Sequence, residues 1–236
     1  MAGTKSPQLA NFRVWINNLI FAVDMEQNCL LVLLVLADPH SNRWSLPQNL
    51  VGDTESLEQA AYRNLAEKIR VKNLYLEQLY TFDQQPDQQP DQQPRQLAQL
   101  IVSYFALVRH DQAELNAEGV NGIAWYAVNR IPPLTANHDQ VLAYGCRRLR
   151  NKLEYSPIAF EVLPSTFTLG ELFQFYRIVL GENFADYSNF RSRLLKLGFL
   201  VDTGTKVTRG AGRPASLYQF DPARFAHFKD RPMVFV

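Results

Sequence analysis

The spacing of hydrophobic positions changes several times along the chain, and each change marks an element. Residues 12–23 (FRVWINNLIFAV) and 29–36 (CLLVLLVL) are near-continuous apolar runs of strand length, the pattern of strands buried on both faces. Asp24 to Asn28 between them predicts a hairpin turn. At Leu57 the period becomes helical: Leu57, Ala60, Ala61, Leu65 and Ile69 share one face. Ser56 stands where an N-cap belongs, and Glu55 and Glu58 lie near the positive helix end. Residues 73–82, 97–109 and 121–128 predict further strands, with a break at Pro132-Pro133. Residues 138–153 predict a helix with Val141, Leu142, Gly145, Leu149 and Leu153 inward. Arg147, Arg148, Arg150 and Lys152 then form a solvated basic face. Between two of the strands, residues 83–94 are three copies of Asp-Gln-Gln-Pro. Proline at every fourth place excludes a helix or central strand and predicts a surface loop.

A second block follows. Residues 155–164 contain Pro157 and Pro164 but also Ile158, Phe160, Val162 and Leu163, which predicts a packed connector. Thr168 can cap a helix to Leu180 with Leu169, Leu172, Phe173, Tyr176 and Leu180 on one face, ended by Gly181. Asp186 to Leu197 predicts another, with Phe190, Leu194 and Leu197 inward and Gly198 at its end. A strand at 199–201, a basic turn over 202–212 and a returning strand at 215–220 complete the order helix, helix, hairpin. That is a winged helix-turn-helix. The chain therefore divides into residues 9–154 and 155–236, an α+β protein of two units.

Composition narrows the classes. The 236 residues are 47% hydrophobic and 20% charged with a net charge of +1, so no global field advertises a polyanionic partner. Residues 1–156 carry 14 basic against 16 acidic residues, and residues 157–236 carry 10 against 7. The excess concentrates over 186–213, with six basic residues against Asp186 and Asp202. Two cysteines, Cys29 and Cys146, form neither a disulfide framework nor a metal spacing. No run has the length of a membrane span or the form of a signal peptide, and a cytoplasmic location is expected.

The second helix of the C-terminal block carries the clearest recognition chemistry. Burying Phe190, Leu194 and Leu197 leaves Ser188, Asn189, Arg191, Ser192 and Lys196 outward, with Arg193 near the edge. Amides and guanidinium suit base edges, and hydroxyls and ammonium suit phosphates. Lys206, Arg209 and Arg213 on the hairpin add cations for phosphate contact. The alternative is a basic solvated surface on a packing domain.

The stretch Leu46 to Val71 resembles the signature of Nudix hydrolases, G-x5-E-x7-R-E-U-x-E-E-x-G-U with U aliphatic. Glu55, Arg63, Leu65, Glu67 and Val71 match. Asn49 replaces the first glycine, Asn64 a glutamate, Lys68 the second of the closing glutamates, and Arg70 the last glycine. In that family paired carboxylates hold Mg2+ against a diphosphate, and a hard dication wants several oxygen ligands. Asn64 removes a charge and Lys68 puts a cation where a cation should bind. The resemblance implies a Nudix-like α/β/α sandwich with a mixed sheet that has lost hydrolysis and needs no cofactor.

The segments SPIAFEVLPSTFTLGELFQFYRIVLG, NFRSRLLKLGFLVDTG and GRPASLYQFD resemble the C-terminal domain of the NrtR family of Nudix-related transcriptional regulators. The likeness spans about residues 12 to 222. It implies a homodimeric repressor of NAD-metabolism genes that reads a palindromic operator in double-stranded DNA. It also implies a Nudix-like half that binds a nucleotide-type effector such as ADP-ribose. Candidate effector contacts are Arg43, Asn49, Glu55, Arg63 and Glu67. Against them stand a purely bracing Arg63–Glu55 pair and a Glu67 that is only an exposed helix residue. Gln48-Asn49 after the Leu-Pro and Leu36-Ala37 after the second strand depart from the family. The alternatives are an active Nudix hydrolase with a fused basic domain, a sugar-responsive regulator of a related branch, and a ligand-binding interaction protein that never touches DNA.

Overall fold

The computed structural model describes residues 12–38, 40, 42–71, 74–84, 98–115, 122–135, 137–208 and 214–228. The two apolar runs form the centre of a seven-stranded mixed sheet. β1 (Phe12–Asp24) pairs antiparallel with β2 (Cys29–Asp38) and parallel with β7 (Ala98–Arg109), in register from Phe12↔Ala98 to Val23↔Arg109. β6 (Tyr75–Gln84) closes one side of the sheet against β7. On the other side β2 pairs with β3 (Arg43–Ser45) and β9 (Ile123–Ala127), while β4 (Gln48–Leu50) pairs with β1. A small ribbon joins β5 (Ile69–Arg70) to β8 (Glu114–Leu115). Asp24 Oδ1 accepts from the Glu26 and Gln27 amides and so shapes the β1–β2 turn. The polar repeat lies almost wholly outside the described residues, which resume at Ala98.

Alternation along β1 sends its side chains to two layers. Ile16 and Ile20 lie under α1 (Leu57–Lys68), among Ala60, Ala61 and Leu65. Leu19, Phe21 and Val23 lie under α2 (His138–Tyr155), among Val141, Leu142, Leu149 and Leu153. A Cβ added to Gly145 would sit 1.9 Å from Leu19 Cδ2, so α2 rests directly on β1 at that turn. Leu57 does not join the core. It is the first residue of α1, ahead of the turn that faces the sheet, and stays 37% exposed.

The connector is packed, as its composition predicts. Ile158, Ala159 and Val162 of α3 (Ile158–Val162) are buried, and Phe160 stacks on Phe220 at 4.3 Å and 3°. α4 (Leu169–Leu180) begins at Thr168 with a reciprocal capping box to Glu171, and α5 (Tyr187–Leu197) is capped by Asp186 and ended by left-handed Gly198. β10 (Phe167–Thr168), β12 (Ala215–Phe220) and β11 (Leu200–Val207) form the small C-terminal sheet, and α6 (Pro222–Phe225) follows it. The winged helix-turn-helix order therefore stands. The expected turn from Asp202 is corrected: β11 continues to Val207. Gly204 at φ +73° absorbs a bulge between Asp202 and Lys206, so turn-forming residues are carried inside a strand.

The basic face of α2 is also not simply solvated. Arg148 Nη2 donates to Glu77 Oε1 at 2.9 Å, and Lys152 and the Tyr75 hydroxyl donate to Glu77 Oε2. Arg150 Nε donates to the Val179 carbonyl of α4 at 3.1 Å. Arg147, over the Tyr144 ring, and Arg150 are exposed as expected. The two halves share one apolar cluster running from β1 to α5, and Gln174 of α4 donates to the Met25 carbonyl in the β1–β2 turn at 2.7 Å. The Gly145→Ala variant should lose about 1–3 kcal/mol of unfolding free energy from overpacking against Leu19, read as a lower midpoint in urea denaturation.

Candidate functional site

The loop between β4 and α1 is organised by one side chain. Arg63, one turn into α1 beyond the buried Ala60-Ala61 pair, reaches back over that loop. Its Nη2 donates to Glu55 Oε1 at 2.6 Å and its Nε to Glu55 Oε2 at 3.1 Å, a bidentate pair. Nη2 also donates to the Leu50 carbonyl at 3.1 Å, and Nη1 to Glu67 Oε1 at 3.4 Å. With its amide oxygen turned toward the guanidinium, Asn49 accepts from Nη1 at 3.0 Å and Nη2 at 2.8 Å. Glu55 Oε1 further accepts from the Gly52 amide at 2.6 Å. Sequence matching could not supply the Leu50 carbonyl or the Gly52 amide, because backbone groups leave no mark on it.

Four of the five expected effector residues thus meet: Asn49, Glu55, Arg63 and Glu67. Arg43 does not. It is exposed at the start of β3 and takes no part in the Arg63 network among the described residues. The bracing reading of Arg63 and Glu55 is what the geometry displays. Lys68 Nζ lies 3.4 Å from Glu67 Oε2, so Glu67 stands between two cations. Asn64 faces the sheet and not the loop. It is fully buried, with an Oδ1 that has no partner among the described residues. Beside it, Asn18 Nδ2 donates to the Ala61 carbonyl at 2.7 Å and ties α1 to β1.

The lead-in before β4 is fixed from the other face of the sheet. The Leu46 amide donates to His138 Nδ1 at 3.0 Å, 92 residues away. Burial pushes the His138 pKa down and favours neutral imidazole. With Nδ1 accepting, the ring proton sits on Nε2, 3.3 Å from the Asn17 amide, whose oxygen is then the group to face it. Nothing in the sequence spacing pointed to this histidine.

In the C-terminal unit α5 buries Phe190 and Leu194, with Leu197 partly buried, and leaves Ser188, Asn189, Arg191, Ser192, Arg193 and Lys196 exposed. Lys206 is exposed near the far end of β11. Arg209 and Arg213 lie outside the described residues. No helix among the described residues is long and apolar enough to cross a membrane.

Residues 16–144 match the family described as NUDIX domain, and residues 155–236 match the AraR C-terminal winged HTH domain. A relative from Acinetobacter baylyi, described as an ADPR responsive transcriptional repressor NtrR, is 29% identical over 205 residues, 85% of this chain and 79% of its own. The crystal structure of Shewanella oneidensis NrtR is similar at a TM-score of 0.72 and 29% identity, covering 94% of this chain and 98% of that one. The same protein complexed with a 27mer DNA gives 0.69 and 29%, covering 90% and 95%.

The Arg63 pair has a consequence in acid. Hydrogen bonds from the Arg63 guanidinium, then the Gly52 amide, hold the Glu55 carboxyl down to about 2 from an ordinary 4.5. A carboxyl depressed in the folded state favours folding above its unfolded pKa, and that contribution disappears as pH falls from 4.5 toward 2. The Glu55→Gln variant should therefore show a shallower fall of melting temperature than the parent between pH 5 and pH 3, measured by thermal denaturation at matched salt.

Proposed function

From a chain that belongs to the NUDIX family, in the NrtR-type branch that carries an AraR-type winged helix, we propose a transcriptional repressor whose Nudix-like half senses ADP-ribose without hydrolysing it. Residues 155–236 are the DNA-binding unit and residues 9–154 the effector unit. The observation that carries the reading is the division of α5: Phe190 and Leu194 hold it to the domain, while an unbroken polar and basic face points outward. Asn189 and Arg191 meet base edges, and Ser188, Ser192, Lys196, Arg193 and the wing residues Lys206, Arg209 and Arg213 meet phosphates. A homodimer sets two such helices on a palindrome with half-sites one or two helical turns apart. By the same family likeness its targets are genes of NAD metabolism.

The effector unit binds a diphosphate by compensation of charge. An active Nudix box gathers carboxylates, which need a dication before they can face phosphate. Here Arg63 and Lys68 offset Glu55 and Glu67, so a diphosphate can approach without a metal bridge. The residues do not fit Mg2+: Glu55 is locked in a bidentate pair, Glu67 lies between two cations, and Asn64 is turned into the core. Asn49, Arg63 and Glu67 are the residues assigned to the effector, while Arg43, at the start of β3, stands outside their network. A ligand shifts a two-state equilibrium only by its differential affinity. Bound effector therefore favours the arrangement of the Asn49–Arg63 loop that is incompatible with operator-bound spacing.

In a mobility-shift titration on the chain's own upstream region, Arg191→Ala should weaken binding about tenfold or more while gel filtration still gives the parent's dimer. ADP-ribose should shift the parent's curve to weaker binding. Unchanged DNA affinity in the variant would remove α5 from the reading role. Incubation of the parent with ADP-ribose and Mg2+ should release no AMP above background, and sustained release would restore the hydrolase alternative.

A further inference from the structure

Tyr187 is the first residue of α5, at the edge of the apolar stripe that Phe190 and Leu194 form. Its ring is held edge-on against Phe173 of α4 at 5.2 Å and 80°, and Phe173 in turn packs on Phe184 and Phe190 at 5.4 Å each. The side chain is nonetheless 40% exposed, and its hydroxyl has no hydrogen bond among the described residues. Tyr187 thus stands at the corner between the two helices of the helix-turn-helix, one turn ahead of Arg191 on the same face of α5.

We infer that Tyr187 clamps α5 to the DNA backbone, its hydroxyl donating to a phosphate at the edge of the groove that Arg191 enters. Three considerations carry this, and it rests on the DNA-binding reading above. When a helix-turn-helix docks, the N-terminal end of the second helix enters the major groove while the first helix crosses the backbone, so the corner between them meets phosphates. A tyrosine hydroxyl is a regular phosphate donor that carries no sequence information. The ring is already fixed by Phe173, so contact orders little additional side-chain freedom, which is the usual loss when a surface residue engages a partner. Tyr187 then fixes the depth and register of α5, and Asn189 and Arg191 read within that frame.

Tyr187→Phe is the discriminating variant, since it keeps the ring contact with Phe173 and removes only the donor. Full-length protein is titrated into operator duplex and into an unrelated duplex of the same length at several salt concentrations. The expected result is a loss of about 10-fold or more on both duplexes, the size of one hydrogen bond to a charged acceptor. The salt dependence should match the parent's, because no charge is removed. Parent-like affinity of Tyr187→Phe on both duplexes, with Arg191→Ala still defective, overturns the clamp and leaves Tyr187 a packing residue. A loss confined to the operator also overturns it, placing the hydroxyl on a base edge. If Arg191→Ala is parent-like as well, the DNA-binding reading itself has failed. Equal melting temperatures of Tyr187→Phe and the parent confirm that the fold is not the cause.

Discussion

The long parallel pairing of β1 with β7 is the constraint from which the rest follows. Twelve consecutive register pairs fix β1 against slippage. A one-residue slip would send every inward side chain to the opposite layer. Held in that register, β1 presents Asn18 to the Ala61 carbonyl of α1 on one face and Leu19 to Gly145 of α2 on the other. Its end enters the turn whose Met25 carbonyl receives Gln174 of α4. One strand therefore touches the helix of the altered box, the helix that closes the sandwich, and the first helix of the DNA-binding unit.

Charge balance explains how a Nudix-shaped groove can serve recognition. A guanidinium with five donors in a fixed fork can satisfy several acceptors at once. Arg63 uses that capacity on Glu55, Asn49, the Leu50 carbonyl and Glu67. The loop is thereby braced by the chain's own groups. A diphosphate would have to compete for these donors with the acceptors that already hold them.

Transmission to the DNA-binding unit has a physical substrate in the shared core. A single apolar cluster continues from Phe21 and Phe105 in the sandwich to Phe175, Phe190 and Phe199 beyond the connector. Arg150 to Val179 and Gln174 to Met25 add polar links across the same boundary. Packed interiors at crystal-like density transmit displacement better than they absorb it. The two units are thus mechanically joined, through α2, α3 and the β1–β2 turn.

The sequence by itself determined the elements and the order of the units. Near-continuous apolar runs placed β1 and β2, a period of 3.6 placed α1, α2, α4 and α5, and Ser56, Thr168, Asp186, Gly181 and Gly198 marked helix ends, because capping and burial are local in the chain. The altered box was legible for the same reason: its residues lie within one loop and one helix. Only the tertiary structure decided what those residues do. It turned Asn64 into the core, bound Arg63 to the Leu50 carbonyl, and set His138 against the Leu46 amide. It also carried β11 past its expected turn and tied Arg148 and Lys152 to Glu77. Each of these involves a backbone group or residues far apart in sequence. Such contacts exist only once the sheet has brought their partners together, and periodicity cannot record them.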